Sequence, residues 1–239
     1  MIASRVLTGF LLLVLCFGCR STDKRGGTDP KVGLPTLMSV LSKAQLSGSL
    51  EYWGVCDVNR RIDLPKMRVP HKGEGGSSPV QVLRQIFADD AKMRVTQDPT
   101  GMIRMRETDV PQDLLDFRIN HVSFKLVSPD GDVVYQPRVA LQAIVWAPEV
   151  QAFMKTHDIR QTVDFERAGA WPSLPPNAPH ISGGLENVTV SQALDQVVQT
   201  FPGLWIYENC SSKKGKRTVD FGIHQNSSEW AAMEKDLIK

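Results

Sequence analysis

Apolar residues at Val190, Ala193, Leu194, Val197, Val198 and Phe201 fall at helical spacing and form one continuous stripe, which predicts a helix over 190–201. Thr189 and Gln192 have the spacing of a reciprocal capping box, in which two side chains satisfy free amides at the helix start. Pro202-Gly203 ends the helix. Leu204-Trp205-Ile206-Tyr207 is a β-prone run, and Thr218 to Ile223 alternates apolar and polar residues across a basic loop, so a hairpin follows.

An earlier stretch repeats this pattern. Ser78 and Gln81 match Thr189 and Gln192, and Pro79 suits the first helical position. Val82-Leu83 and Ile86-Phe87 match Ala193-Leu194 and Val197-Val198. Met93 to Thr96 lies against Leu204 to Tyr207, with no gap from Ser78 to Asp98. Asp98-Pro99-Thr100-Gly101 is a turn, and Met102 to Arg106 is the return strand. Upstream, Pro70-His71 before Gly75-Gly76 echoes Pro179-His180 before Gly183-Gly184. Helices are predicted at Thr36–Leu46 and Ala140–His157, leading to strands at Ser49–Val55 and Gln161–Phe165.

The expected fold class is therefore α+β. It comprises two related small α/β sandwich units, each helix-strand-strand-helix-strand-strand, over 36–108 and 139–225. Leu115-Phe117-Ile119 and Val122-Phe124-Leu126 alternate with polar residues along a strand, and Ser128-Pro129-Asp130-Gly131 is its turn, which predicts a linking β-hairpin over 109–138. Trp230, Met233 and Leu237 mark an amphipathic helix over 226–239.

The helix ending in LSKAQL, the strand, the glycine-marked stretch, the S/T-x-x-Q helix and the hairpin resemble the short N-terminal (STN, secretin N-like) domain of secretins and TonB-dependent receptors. Glu186 to Tyr207 carries most of that resemblance. The first unit departs from it, with Val82 for the alanine and no glycine after its helix. The resemblance implies a periplasmic module that binds protein partners, such as a secretin or a TonB-dependent system, and that catalyses nothing.

The N-terminus reads separately. Arg5 precedes an apolar run from Val6 to Phe17, the pattern of a signal peptide over 1–18. Leu15-Cys16-Phe17-Gly18-Cys19 resembles a bacterial lipoprotein signal, although Cys16 replaces the usual leucine and Phe17 is bulky. The resemblance implies a palmitate-bearing Cys19; ordinary cleavage near Gly18 is the other reading. Residues 19–35 are polar and glycine-containing, a flexible tether. Arg20 stands where an aspartate would mark inner-membrane retention, so an outer-membrane lipoprotein facing the periplasm is expected.

A net charge of +2 gives no dominant basic face for nucleic acid. Cys56 and Cys210 remain after export, either as a disulfide or as two separate buried thiols. His71, His121, His157, His180 and His224 make no metal-binding pair, and Asp130 and Asp132 lack the spaced ligands of a calcium loop. No nucleophile elbow, phosphate loop or dinucleotide fingerprint occurs. Neither cofactor nor metal is expected. The sharpest surface feature is Lys213, Lys214, Lys216 and Arg217 on the second hairpin tip. It is either a solvated turn or a contact for an anionic partner, with Trp205 and Tyr207 extending that face or packing in the core. The expected function is a non-catalytic envelope lipoprotein that docks or scaffolds for a membrane or secretion machine. The alternatives are an envelope hydrolase with scattered catalytic residues and a purely structural lipoprotein.

Overall fold

The computed structural model describes residues 33–54, 65–68, 78–125, 128, 131–161, 178–211 and 216–226. The signal peptide, Cys19, nearly all of the tether, Cys56, His71, Asp130, Lys213, Lys214, the expected strand beyond Gln161 and the C-terminal helix with Trp230, Met233 and Leu237 lie outside the described residues.

The chain is α+β. In order, its elements are α1 (Leu34–Ala44), β1 (Gly48–Trp53), α2 (Pro79–Ile86), β2 (Met93–Gln97), β3 (Ile103–Glu107), β4 (Arg118–Val122) and β5 (Val133–Val134). There follow α3 (Pro137–Val145), α4 (Pro148–Thr156), β6 (Arg160–Gln161), β7 (Ile181–Ser182), β8 (Leu185–Thr189), α5 (Val190–Thr200), β9 (Gly203–Ser211) and β10 (Arg217–Gln225). Six strands form one sheet in the order β2-β3-β1-β9-β10-β6. Both halves of the sequence therefore share a sheet, joined where β1 runs parallel to β9 from Gly48–Leu204 to Trp53–Asn209.

The repeat is visible in this topology. In the first unit β3 pairs antiparallel with β2 and parallel with β1. In the second, β10 pairs antiparallel with β9 and parallel with β6. The left-to-right order is the same and every strand direction is reversed. A half-turn about an in-plane axis perpendicular to the strands does both, and it also exchanges the faces of the sheet. The cores confirm the exchange. Leu83 and Ile86 of α2 pack with Met93, Val95, Ile103 and Met105 on one face. Leu194 and Val197 of α5 pack with Trp205, Tyr207, Val219 and Phe221 on the other.

Local chemistry repeats too. Ser78–Gln81 and Thr189–Gln192 both form complete capping boxes. At the ends of α1 and α4, Gln45 and Asp158 take left-handed backbone angles, and Leu46 N and Ile159 N donate to Leu41 O and Met154 O, five residues back. Each is the same helix-terminating turn, with an apolar residue closing over the last helical turn.

Four expectations need correction. First, the gap-free match holds through the helices and slips at the strands. Matched residue for residue, Met93 would equal Leu204, yet the residues facing their own helix are Met93 and Val95 in one unit and Trp205 and Tyr207 in the other. α5 runs 11 residues and α2 only 8, so the connections differ and a one-residue offset flips the strand faces. Second, residues 140–157 are two helices. Pro148 has no N–H to give, and Ala147 before it is held at ψ 132°, so the helix breaks at Trp146-Ala147.

Third, residues 109–138 are not a hairpin. β4 pairs with β8, and β5 with β7. Alternation tells which face of a strand is buried, not which strand is its neighbour. Between them the loop folds on side-chain bonds, with Phe124 N donating to Asp132 Oδ1 (2.8 Å) and Ser128 Oγ to Val133 O (2.5 Å). Fourth, the strand expected just before the hairpin helix does not join the main sheet in the second unit; in the first, between β1 and α2, it falls largely outside the described residues, of which 65–68 have no strand pairing. In the second unit β7 and β8 serve the linker and not the main sheet.

The linker acts as a strap across the α3–α5 face. Leu114 and Leu115 are fully buried, Trp53 Nε1 donates to Asp109 O (2.9 Å), and Gln112 Nε2 donates to the buried Glu51 carboxylate (3.2 Å). Arg106 and Ser49 complete the shell around Glu51. A buried carboxylate needs such a shell, because an ion removed from water must be paired and hydrogen-bonded.

Candidate interaction surface

The described half of the basic tip is paired within the chain. Lys216 Nζ lies 3.1 Å from Asp158 Oδ2. Arg217 Nη1 donates to Asp113 Oδ2 (2.6 Å) and its Nη2 to the Tyr207 hydroxyl (2.8 Å), which also accepts from Asn209 Nδ2 (3.0 Å). Burial raises the Asp113 carboxyl, but the Arg217 hydrogen bond and charge outweigh it and hold it below the usual carboxylate range. Burial pushes the Tyr207 hydroxyl up despite Arg217 beside it. Arg217 thus ties β10 to the strap. Trp205 and Tyr207 are fully buried core residues and add nothing to an outer face.

Cys210 is buried near the end of β9 and is disulfide-bonded. The register sets Asn209 against Trp53, and Gly54 N donates to Asn209 O (2.9 Å). Cys210 therefore lies where the chain leaves β1 toward Cys56.

The histidines scatter. His157 stacks on Phe153 (ring centroids 4.0 Å), His180 packs on Tyr135, and His224 sits half-buried on β10, where burial lowers its pKa. Among the described residues no three metal-ligating side chains cluster. Asp132 serves its loop, as described above.

One cleft is a feature that sequence reasoning missed. Of about 700 Å³, it lies between β4 and the break joining α3 to α4. Ala143, Trp146, Ala147 and Pro148 form an apolar wall, and Asn120 and Glu149 face them. Trp146 is 40% exposed. Glu149 accepts from Asn120 N (3.2 Å) and Asn120 Nδ2 (2.6 Å). At the mouth, His121 Nδ1 lies 2.7 Å from Glu186, its cross-strand neighbour. Gly184 precedes β8 at φ 76°, and a Cβ there would stand 2.6 Å from Val122 O, so glycine permits the close turn that brings β8 to β4. The signal was present in Trp146-Ala147-Pro148. A proline inside an apolar run breaks a helix, and the break leaves the tryptophan outside.

Comparison of the chain with family models, curated proteins and solved structures finds no match.

Proposed function

We propose that this protein is an exported, lipid-anchored envelope module that docks a protein partner and catalyses nothing, in the manner of the secretin N-like domains its repeats resemble. The outer membrane, with the folded part in the periplasm, is its place in this reading. The observation that carries it is the apolar cleft beside β4 with Trp146 exposed at its wall. Surface tryptophans next to small apolar residues are typical anchors of protein interfaces.

The test is a photo-crosslinking amino acid at position 146 in intact cells. The expected result is a discrete crosslink to an envelope protein, absent when the same group replaces exposed Arg138 on α3. A cell that gives no such crosslink, or gives the same products from both positions, overturns the docking reading. One observation favours the hydrolase alternative: His121, oriented through Nδ1 by Glu186, lines the same cleft. Hydrolysis of envelope material that disappears in His121→Gln, with crosslinking unaffected, would establish that reading in its place.

A further inference from the structure

The cleft has a directional polar wall. Phe117 O accepts from Val190 N (3.0 Å), so alternate residues Ile119 and His121 turn their backbone toward β8. Asn120 turns its N–H the other way, into the cleft. Among the described residues no strand pairs with that edge of β4. What Asn120 N meets there is the Glu149 carboxylate, an acceptor placed where the carbonyl of an adjoining strand would stand. The rim carries two carboxyl side chains. Glu149 lines the cleft and Glu186 flanks it, while Arg118 is turned onto Asn187 O (2.6 Å) and Oδ1 (3.0 Å).

Resting on the docking reading above, we propose that the cleft receives an extended segment of the partner protein. This segment pairs with the outer edge of β4, seats a large apolar side chain against Trp146 and presents a basic residue to Glu149. Backbone pairing supplies affinity in this mode of recognition, and pockets for alternate side chains supply selectivity. Charge complementarity selects the basic residue: an incoming carbonyl takes over Asn120 N, and the displaced carboxylate then needs a cation beside it.

The test uses full-length wild-type protein against a displayed library of random peptides about twelve residues long, long enough to exceed one strand. Binders are counter-selected on Trp146→Asp. The best binder is then synthesised with N-methyl groups on each alternate set of amides and measured by fluorescence anisotropy. The expected sequences share a large apolar residue with lysine or arginine within two positions. Methylation of one alternate set should weaken binding about tenfold or more and that of the other set little, while Trp146→Ala and Glu149→Lys should each cost about tenfold. The methylated peptides probe unaltered protein, so a folding defect cannot imitate the result. Failure to enrich a shared sequence, equal binding of both methylated sets, or a Trp146-dependent dimer in sedimentation would each overturn the proposal. If position 146 still crosslinks to an envelope protein, the docking reading survives that failure; if it does not, both fall.

Discussion

β2 and β9 are the same strand of the repeated unit, yet they live in different surroundings. β2 is at the edge of the sheet. Met93 and Val95 are buried, and Arg94, Thr96 and Gln97 are exposed. β9 is central. Leu204 and Ile206 enter the α1–α2 core, and Trp205 and Tyr207 enter the α3–α5 core. The half-turn relating the units is the cause. It lays the second unit's outer face against the helices of the first, so one copy must be apolar on both sides and the other on only one. One local plan thus tolerates two burial regimes, and the neighbour decides which applies.

The sharpest break in this comparison comes from equivalent positions. Leu204→Ala, on the face of β9 turned away from α5, removes a fully buried side chain and should cost about 2–5 kcal/mol, while Arg94→Ala on the corresponding, exposed face of β2 should stay within about 0.5 kcal/mol. Urea denaturation of both variants checks the contrast. Leu83→Ala and Leu194→Ala, buried alike on α2 and α5, should each cost about 2–5 kcal/mol. A large inequality between those two would mean that the helices do not carry equal weight.

The seam between units comes next. We expect Cys210 to pair with Cys56, which non-reducing peptide mapping would show as one linked fragment, and Cys210→Ser should cost about 2–5 kcal/mol. Recovery of Cys210 joined to Cys16 or Cys19 would refute that pairing. Toward the other end of the seam, Asp195 of α5 accepts from Arg104 of β3 (2.7 Å) and from Trp205 Nε1 (2.8 Å), tying the first unit's strand to the second unit's helix. A double-mutant cycle on Arg104 and Asp195 should return about 1–3 kcal/mol of coupling, since both side chains are mostly buried.

Smaller effects separate the basic residues of the tip. Lys213→Ala with Lys214→Ala should leave stability unchanged, and, if the tip is the contact for an anionic partner, should flatten the salt dependence of its capture. Arg217→Ala should cost about 1 kcal/mol, because Asp113 is partly solvated and its pair is screened. Equal melting curves for the two variants would show that the tie to the strap contributes nothing.

The smallest effect is in pH. Asp98 is pulled up by burial, but hydrogen bonds from Thr100 and Arg104 outweigh this and hold it low, as Arg217 does for Asp113. Carboxyls held low stabilise the fold above the unfolded value of about 3.9, and that stability is lost as pH falls through their folded values. His224 has the same sign by a different cause. Burial disfavours its cation, so stability falls as pH drops below about 6.5, where the unfolded chain takes up the proton more readily. Melting temperatures of wild type and His224→Gln between pH 7 and 5 should converge at the acidic end. Parallel curves would remove His224 from the account.

Much of this was readable in the chain. Both capping boxes, both hairpins and the α+β class follow from spacing alone. The contrast between Met93-Arg94-Val95-Thr96, which alternates, and Leu204-Trp205-Ile206-Tyr207, which does not, already marked one strand as one-sided and the other as two-sided. Shared membership of one sheet was not readable, because pairing between β1 and β9 is a backbone matter that leaves no residue signature. The partner of β4 was hidden for the same reason. The cleft depends on where a broken helix comes to rest against a strand some 25 residues earlier, so Pro148 could announce the break but not what it would face.

The half-turn between the units carries a step of three strands with it, which makes it a screw and not a closed rotation. Such an operation has no natural last member: β6 stands to the next position along the sheet as β1 stands to β9. In its described residues β6 offers only Arg160 and Gln161 where β1 offers six paired residues, Gly48 to Trp53. A strand of β1's length at that place would offer a pairing edge to a further copy, and the geometry would then propagate from molecule to molecule as a fibre.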